Sequence, residues 1–150
     1  MKLEQEIQQE KFQSEYHKVH VNVLFTASWL NLQTTKLLKT HNISPQQFNI
    51  LRILRGMHPE PASVKILTER MIDKMSNASR LVEKLKQKGL VEREASENDR
   101  RRVNVNITPQ GLELLEKASH DIEKSIKSNL SNLSTSEASQ LNKLLDKIRG

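Results

Sequence analysis

The chain contains no cysteine. That excludes disulfides, thiolate metal sites and a cysteine redox sensor within it. Aromatic residues make up only 3%, so any core is built from Leu, Ile and Val. No apolar run approaches the roughly 18–20 residues that a membrane-spanning helix needs. The opening MKLEQEIQQEKF is too charged for the apolar core of a signal peptide. The expected setting is the cytoplasm, with no membrane partner. The four glycines are scattered, which leaves no glycine-rich phosphate loop. No nucleophile–base pair and no paired carboxylates stand out, so the chain reads as a non-enzyme without a cofactor. His17 and His20 are three apart on a helix, but no nearby Asp, Glu or His completes a ligand set, and no metal site is expected.

What is present is positive charge: a net +6 and a pI near 9.7. Its distribution is uneven. Residues 64–108 hold 11 Lys/Arg against 7 Asp/Glu, a balance of +4, whereas residues 109–150 hold 6 of each. A basic excess argues for an anionic partner and says nothing of fold.

The apolar pattern divides the chain. Phe12, Tyr16, Val19, Val23, Ala27, Leu30, Thr34 and Leu37 keep one helix face in register. Val21, Leu24, Phe25 and Leu32 fall partly outside it, so this helix needs more cover than one small domain supplies. Ser44 and Pro45 start a second helix carrying Phe48, Leu51 and Leu54. Gly56, Pro59 and Pro61 break it. SVKILTERM is a short third helix. MSNASRLVEKLKQKGL is a fourth, with Ser76 as a possible cap and Gly89 as its stop. Two strands follow, Leu90 to Ala95 and Val103 to Ile107. Thr108 and Pro109 open a fifth helix with the stripe Leu112, Leu115, Ala118, Ile122, Ile126, Leu130 and Leu133. Ser134 to Glu137 is a capping box for a sixth.

A β-hairpin directly after a helix-turn-helix is a winged helix. The expected fold is mainly α with a small β-hairpin. Residues 1–43 would form an N-terminal dimerisation helix, 44–107 a winged helix-turn-helix DNA-binding domain, and 108–150 C-terminal dimerisation helices.

A helix entering the major groove needs small polar residues at its start and long donors just beyond. Ser76, Asn77 and Ser79 are short; Arg80 and Lys84 are long. Arg100, Arg101 and Arg102 sit at the tip between the strands. They are solvated turn charges, an ion-pair site, or cations for a narrow, electronegative minor groove, where Arg is preferred to the more strongly hydrated Lys. Their place beside a recognition helix favours the last. Asp99 would be repelled by phosphate, and an ion pair that orients a wing arginine suits it better. Tyr16, Phe25 and Trp29 on the first long helix could line a small-molecule pocket, or simply pack in a core or dimer.

Leu67 to Leu115, with SNASRLVEKLKQKGLVER, then DRRR and the spaced V-N-I-T-P-Q-G, strongly resembles the multiple antibiotic resistance regulator (MarR) family. The resemblance implies a homodimeric winged-helix transcription regulator whose terminal helices interlock. It implies a recognition helix in the major groove and a wing in the flanking minor groove. The family's Asp-x-Arg wing motif falls on Asp99 and Arg101, which makes Arg101 the minor-groove residue and Arg100 and Arg102 phosphate contacts. It also implies a repressor that leaves a pseudo-palindromic operator in double-stranded DNA when a small anionic or phenolic ligand binds. The alternatives are a winged-helix adaptor for an acidic protein and a sequence-independent nucleic-acid-binding protein.

Overall fold

A computed structural model describes residues 1–150 except Glu97 and Arg100. Seven helices and three strands are described: α1 (Leu3–Glu6), α2 (Glu15–Lys39), α3 (Pro45–Met57), β1 (Ala62–Ser63), α4 (Val64–Arg70), α5 (Ala78–Gln87), β2 (Val91–Ala95), β3 (Val103–Ile107), α6 (Pro109–Asn129) and α7 (Thr135–Arg149).

The helix starts are written in their caps. Ser44 and Gln47 form a reciprocal capping box ahead of Pro45, and Ser134 and Glu137 form another ahead of α7. The Ser134 backbone N–H holds the Glu137 carboxyl below the usual carboxylate range, with help from the Ser134 side chain. Thr108 Oγ1 accepts the Gly111 N–H at 3.0 Å and donates to the Gly89 carbonyl at 2.7 Å. That hydroxyl therefore joins the end of the α5 segment to the start of α6. Gly89 takes φ 73°, a left-handed conformation that glycine adopts without penalty.

Two features exceed the expectation. The hairpin is part of a three-stranded antiparallel sheet in the order β1-β3-β2, because Ala62 and Ser63 pair with Val105 and Asn104. Two residues between prolines and a helix carry no readable period, so β1 is invisible to pattern reading. The chain also begins with a short helix, α1, folded back on α2. Lys18 is hydrogen-bonded to Glu4, which holds the Glu4 carboxyl down and the Lys18 ammonium up in pKa.

One apolar core runs from Leu38 to Ile122 and includes Ile50, Leu51, Leu54, Leu67, Val82, Leu85, Val105 and Leu115. It lies beneath α3, α4, α5 and the inner face of the sheet, and α6 closes it with Leu115, Ala118 and Ile122. Gly111 is required at the α6–sheet contact. A Cβ there would stand 2.2 Å from the Leu90 carbonyl oxygen and 2.8 Å from Ile107 Cγ1.

The outer helices are different. Over its 25 residues, α2 buries only Leu38. Tyr16, Val19, Val23, Leu24, Trp29 and Leu32 are exposed along it. Helix α7 buries nothing, and Leu141, Leu144 and Ile148 face solvent together with Ile126, Leu130 and Leu133. No described helix is long and apolar enough to cross a membrane.

Candidate nucleic-acid interface

Helix α5 is divided lengthwise. Ala78, Val82 and Leu85 are buried on one side, while Ser79, Arg80 and Lys84 are exposed on the other. This follows from the 3.6-residue repeat of a helix whose apolar residues recur at intervals of three and four. The inner face docks the helix and leaves three donor-bearing side chains aimed outward. Glu83 is occupied elsewhere, in an ion pair with Arg93 of β2 at 2.9 Å. That contact ties the helix flank to the wing.

The start of the helix corrects the sequence reading in two ways. The cap is Asn77, not Ser76: Asn77 is extended (φ −91°, ψ 96°) and its Oδ1 accepts the Arg80 N–H at 3.1 Å. The Asn77 side-chain oxygen is therefore committed to the backbone, although the residue is exposed. Ser76 Oγ is buried and has no hydrogen-bond partner among the described residues. Its hydroxyl faces the fold and does not present itself to a ligand. The chain before Asn77 is a turn, not helix. Its shape is set by Asp73, which accepts the Ser76 N–H on its carbonyl at 3.2 Å and the Met75 N–H on Oδ1 at 3.0 Å.

The wing is built from β2 and β3, in register from Val91↔Ile107 to Ala95↔Val103. Val105 and Ile107 are buried, which pins the return strand to the core. At the tip, Asp99 does act as a brace, but on backbone. Its Oδ1 accepts the Arg101 N–H at 2.9 Å and its carbonyl accepts the Arg102 N–H at 2.9 Å. A short polar side chain that bonds the main chain two residues on is an Asx turn. Among the described residues Asp99 makes no ion pair, so the expected ion pair with a wing arginine is not seen there. Arg101 and Arg102 are exposed. Arg100 lies outside the described residues.

The exposed face of α5 and the exposed Arg101 and Arg102 of the wing are thus two cationic elements joined by a single core. Residues 41–102 match the MarR family. MgrA of Staphylococcus aureus, an HTH-type transcriptional regulator, is 32% identical over 115 residues, covering 77% of this chain and 76% of MgrA.

The chain belongs to the MarR family of transcription regulators.

Two solved structures share its fold. The organohalide-sensing regulator RdhR, with 2,4-dichlorophenol bound, superposes with a TM-score of 0.83 at 19% identity, over 94% of this chain and 85% of its own. MepR of S. aureus, in complex with DNA, superposes with a TM-score of 0.75 at 20% identity, over 92% and 97%. This MarR-family chain carries the family's regulatory role and is not an enzyme.

The three aromatics picked out as a pocket separate. Phe25 and Trp29 line a cavity of about 270 Å³ between α1 and α2, together with Leu3, Asn22 and Thr26. Tyr16 is not among its walls and is 88% exposed. Position explains the split: Phe25 and Trp29 are four apart on one face of α2, and Tyr16 lies more than two turns earlier. Among the described residues no group of three or more His, Asp or Glu could hold a metal ion. Sequence reasoning also passed over Met75 and Ile72, which stand exposed in the turn before α5. In the sequence Met75 stands three residues before Ala78 and seven before Val82, in register with the apolar face of α5, so the pattern gave no signal of its exposure.

Proposed function

We propose that this chain is a homodimeric, sequence-specific repressor. Helix α5 enters the major groove of double-stranded DNA, and the wing enters the flanking minor groove. The observation that carries the reading is the lengthwise division of α5: an apolar face locked in the core and an exposed face of Ser79, Arg80 and Lys84. Arg80 reads base edges and Lys84 grips phosphate, while Asn77 has its amide nitrogen left to donate to DNA. The Asx turn at Asp99 sets the backbone from which Arg101 is offered to the minor groove, with Arg100 and Arg102 as phosphate contacts. Electronegative narrow grooves attract such arginines. The DNA-bound state of MepR supports this assignment of partner.

The apolar residues left exposed along α2, α6 and α7 support the homodimer. Two copies present two recognition helices, so the operator is a pseudo-palindrome with half-sites about one helical turn, roughly 10 base pairs, apart. Occupying such a site blocks transcription. The cavity beside Phe25 and Trp29 is our site for a small anionic or phenolic ligand that releases the DNA, and the dichlorophenol bound to RdhR supports that ligand class. A protein that works this way resides in the cytoplasm, on the nucleoid.

The test is salt-dependent binding to a duplex selected from a random pool. Each phosphate contact contributes about 0.9 to the slope of log affinity against log salt. Arg101→Ala is expected to weaken binding to every sequence and lower that slope by about 1. An unchanged slope removes Arg101 from the interface. A pool that yields no enriched inverted repeat overturns the sequence-specific reading in favour of sequence-independent binding or a protein adaptor.

A further inference from the structure

The turn before the recognition helix holds an unusual pair. Met75 is 93% exposed and Ile72 is 85% exposed. Most other exposed large hydrophobics lie on α2, α6 and α7, where a second copy accounts for them. Met75 and Ile72 stand apart from those helices, within the winged-helix unit. Met75 lies two residues before the cap of α5, in the unit's most basic stretch.

The turn that carries them is tightly bonded. The Ile72 N–H donates to Asn49 Oδ1 of α3 at 2.9 Å. The Met75 N–H donates to Asp73 Oδ1 at 3.0 Å, and the Ser76 N–H to the Asp73 carbonyl at 3.2 Å. Lys74 Nζ reaches back to the Glu69 carbonyl. The adjoining Met71 is 2% exposed and anchors the turn in the core. The backbone is therefore held by its own bonds, with the Met75 side chain in water. A free apolar side chain on a fixed backbone gains by meeting an apolar surface, and it has lost little by waiting.

The setting selects the surface. Arg80 and Lys84 are exposed on the helix that begins three residues after Met75, and Lys74 precedes it. A partner that brings phosphates to those cations and an apolar group to Met75 is the major groove. Its one apolar feature is the C5-methyl of thymine, and contact with that methyl tells A·T from the other pairs. The geometry points to Met75 as a specificity-determining residue that packs its thioether chain on a thymine methyl at the edge of each half-site. Methionine suits the task because its unbranched, polarisable chain adapts to an irregular surface. This rests on the DNA-binding reading above and adds a base contact that the polar residues of α5 do not supply.

Thymine-by-thymine replacement with deoxyuridine removes the methyl and nothing else. On the duplex selected by the wild-type protein, at one fixed salt concentration, one position in each half-site is expected to lose about four-fold in affinity, the worth of one buried methyl group. Met75→Ala is expected to bind the parent duplex about four-fold more weakly and to lose less than about two-fold further at that position. Met75→Leu keeps the methyl dependence, because it keeps the apolar chain. The salt slope stays the same in all three proteins, since no charge is changed. Either of two results overturns the inference while leaving the DNA-binding reading intact: no deoxyuridine position weakens the wild-type protein, or the loss persists undiminished in Met75→Ala. Failure to enrich any duplex overturns both. Met75→Ala changes a solvent-exposed side chain, and an unchanged thermal midpoint shows that its fold is preserved.

Discussion

Helices α5 and α7 are both amphipathic, yet they end in opposite states. Helix α5 buries Ala78, Val82 and Leu85 in the chain's own core. Helix α7 buries none of its residues, and Leu141, Leu144 and Ile148 remain in water. The same contrast divides the molecule. The winged-helix unit is completed by α3, α4, the sheet and the first turns of α6. The outer helices keep an apolar face that nothing within the chain covers. An amphipathic stripe thus states that a helix wants a neighbour; it does not state whether the neighbour comes from the same chain. In the dimer proposed above, the inner unit would hold its shape alone and the outer helices would hold two units at a set spacing.

The contrast can be broken first where it is widest. Leu141→Glu with Leu144→Glu would place charges in the proposed interface, where unpaired buried charge costs several kcal/mol. Sedimentation at micromolar concentration is expected to change from dimer to monomer, with helix content retained. A wild-type monomer would refute the dimer outright. The inner unit should respond in the opposite sense, losing its fold and not its partner. Gly111→Ala forces a Cβ against the Leu90 carbonyl oxygen, and overpacking of this kind is expected to cost about 3 kcal/mol. Urea unfolding measures it; a loss under about 1 kcal/mol would mean that α6 shifts freely on the sheet.

Smaller effects sharpen the same division. Asn77→Ala removes the cap of α5, at a cost of about 1 kcal/mol. It should therefore lower both stability and DNA affinity, whereas a residue used only for DNA would lower affinity alone. Comparing chemical unfolding with duplex binding separates the two.

The smallest effect belongs to α7. The folded carboxyl of Glu137 titrates below its ordinary value of 4.5, so its capping contribution is complete above that value. It is lost as pH falls through the lowered folded value. Amide exchange in the first turn of α7 should speed up on acidification, and Glu137→Gln, which keeps a capping acceptor, should flatten that dependence. Equal acceleration in the Gln variant would assign the fraying to another group.

Much of this was legible in the sequence because it is local. Ser44 with Pro45, Thr108 with Pro109, and Ser134 with Glu137 announce helix starts, and each cap hydroxyl accepts the N–H three residues on. Val103, Val105 and Ile107 announce the return strand by alternation. What was not legible depends on contacts between distant segments. Strand β1 exists only because Ala62 and Ser63 meet Val105 and Asn104, about forty residues away. The inward turn of Ser76 Oγ, and the choice of Asn77 as cap in its place, depend on how the turn at Asp73 settles against α3. Asp99 was recognised as a brace, but its partner is main chain, since an Asx turn needs only residues two apart and no free cation.

The sequence by itself determined the order of helices α2 to α7, the winged-helix architecture and the basic face of α5, because these follow from short-range capping and from periodicity. The tertiary structure alone decided which apolar stripes are satisfied. Burial depends on the volume available beneath a helix, and the single core has room for α3, α4, α5 and the start of α6. It has none left for the greater part of α2 or for α7.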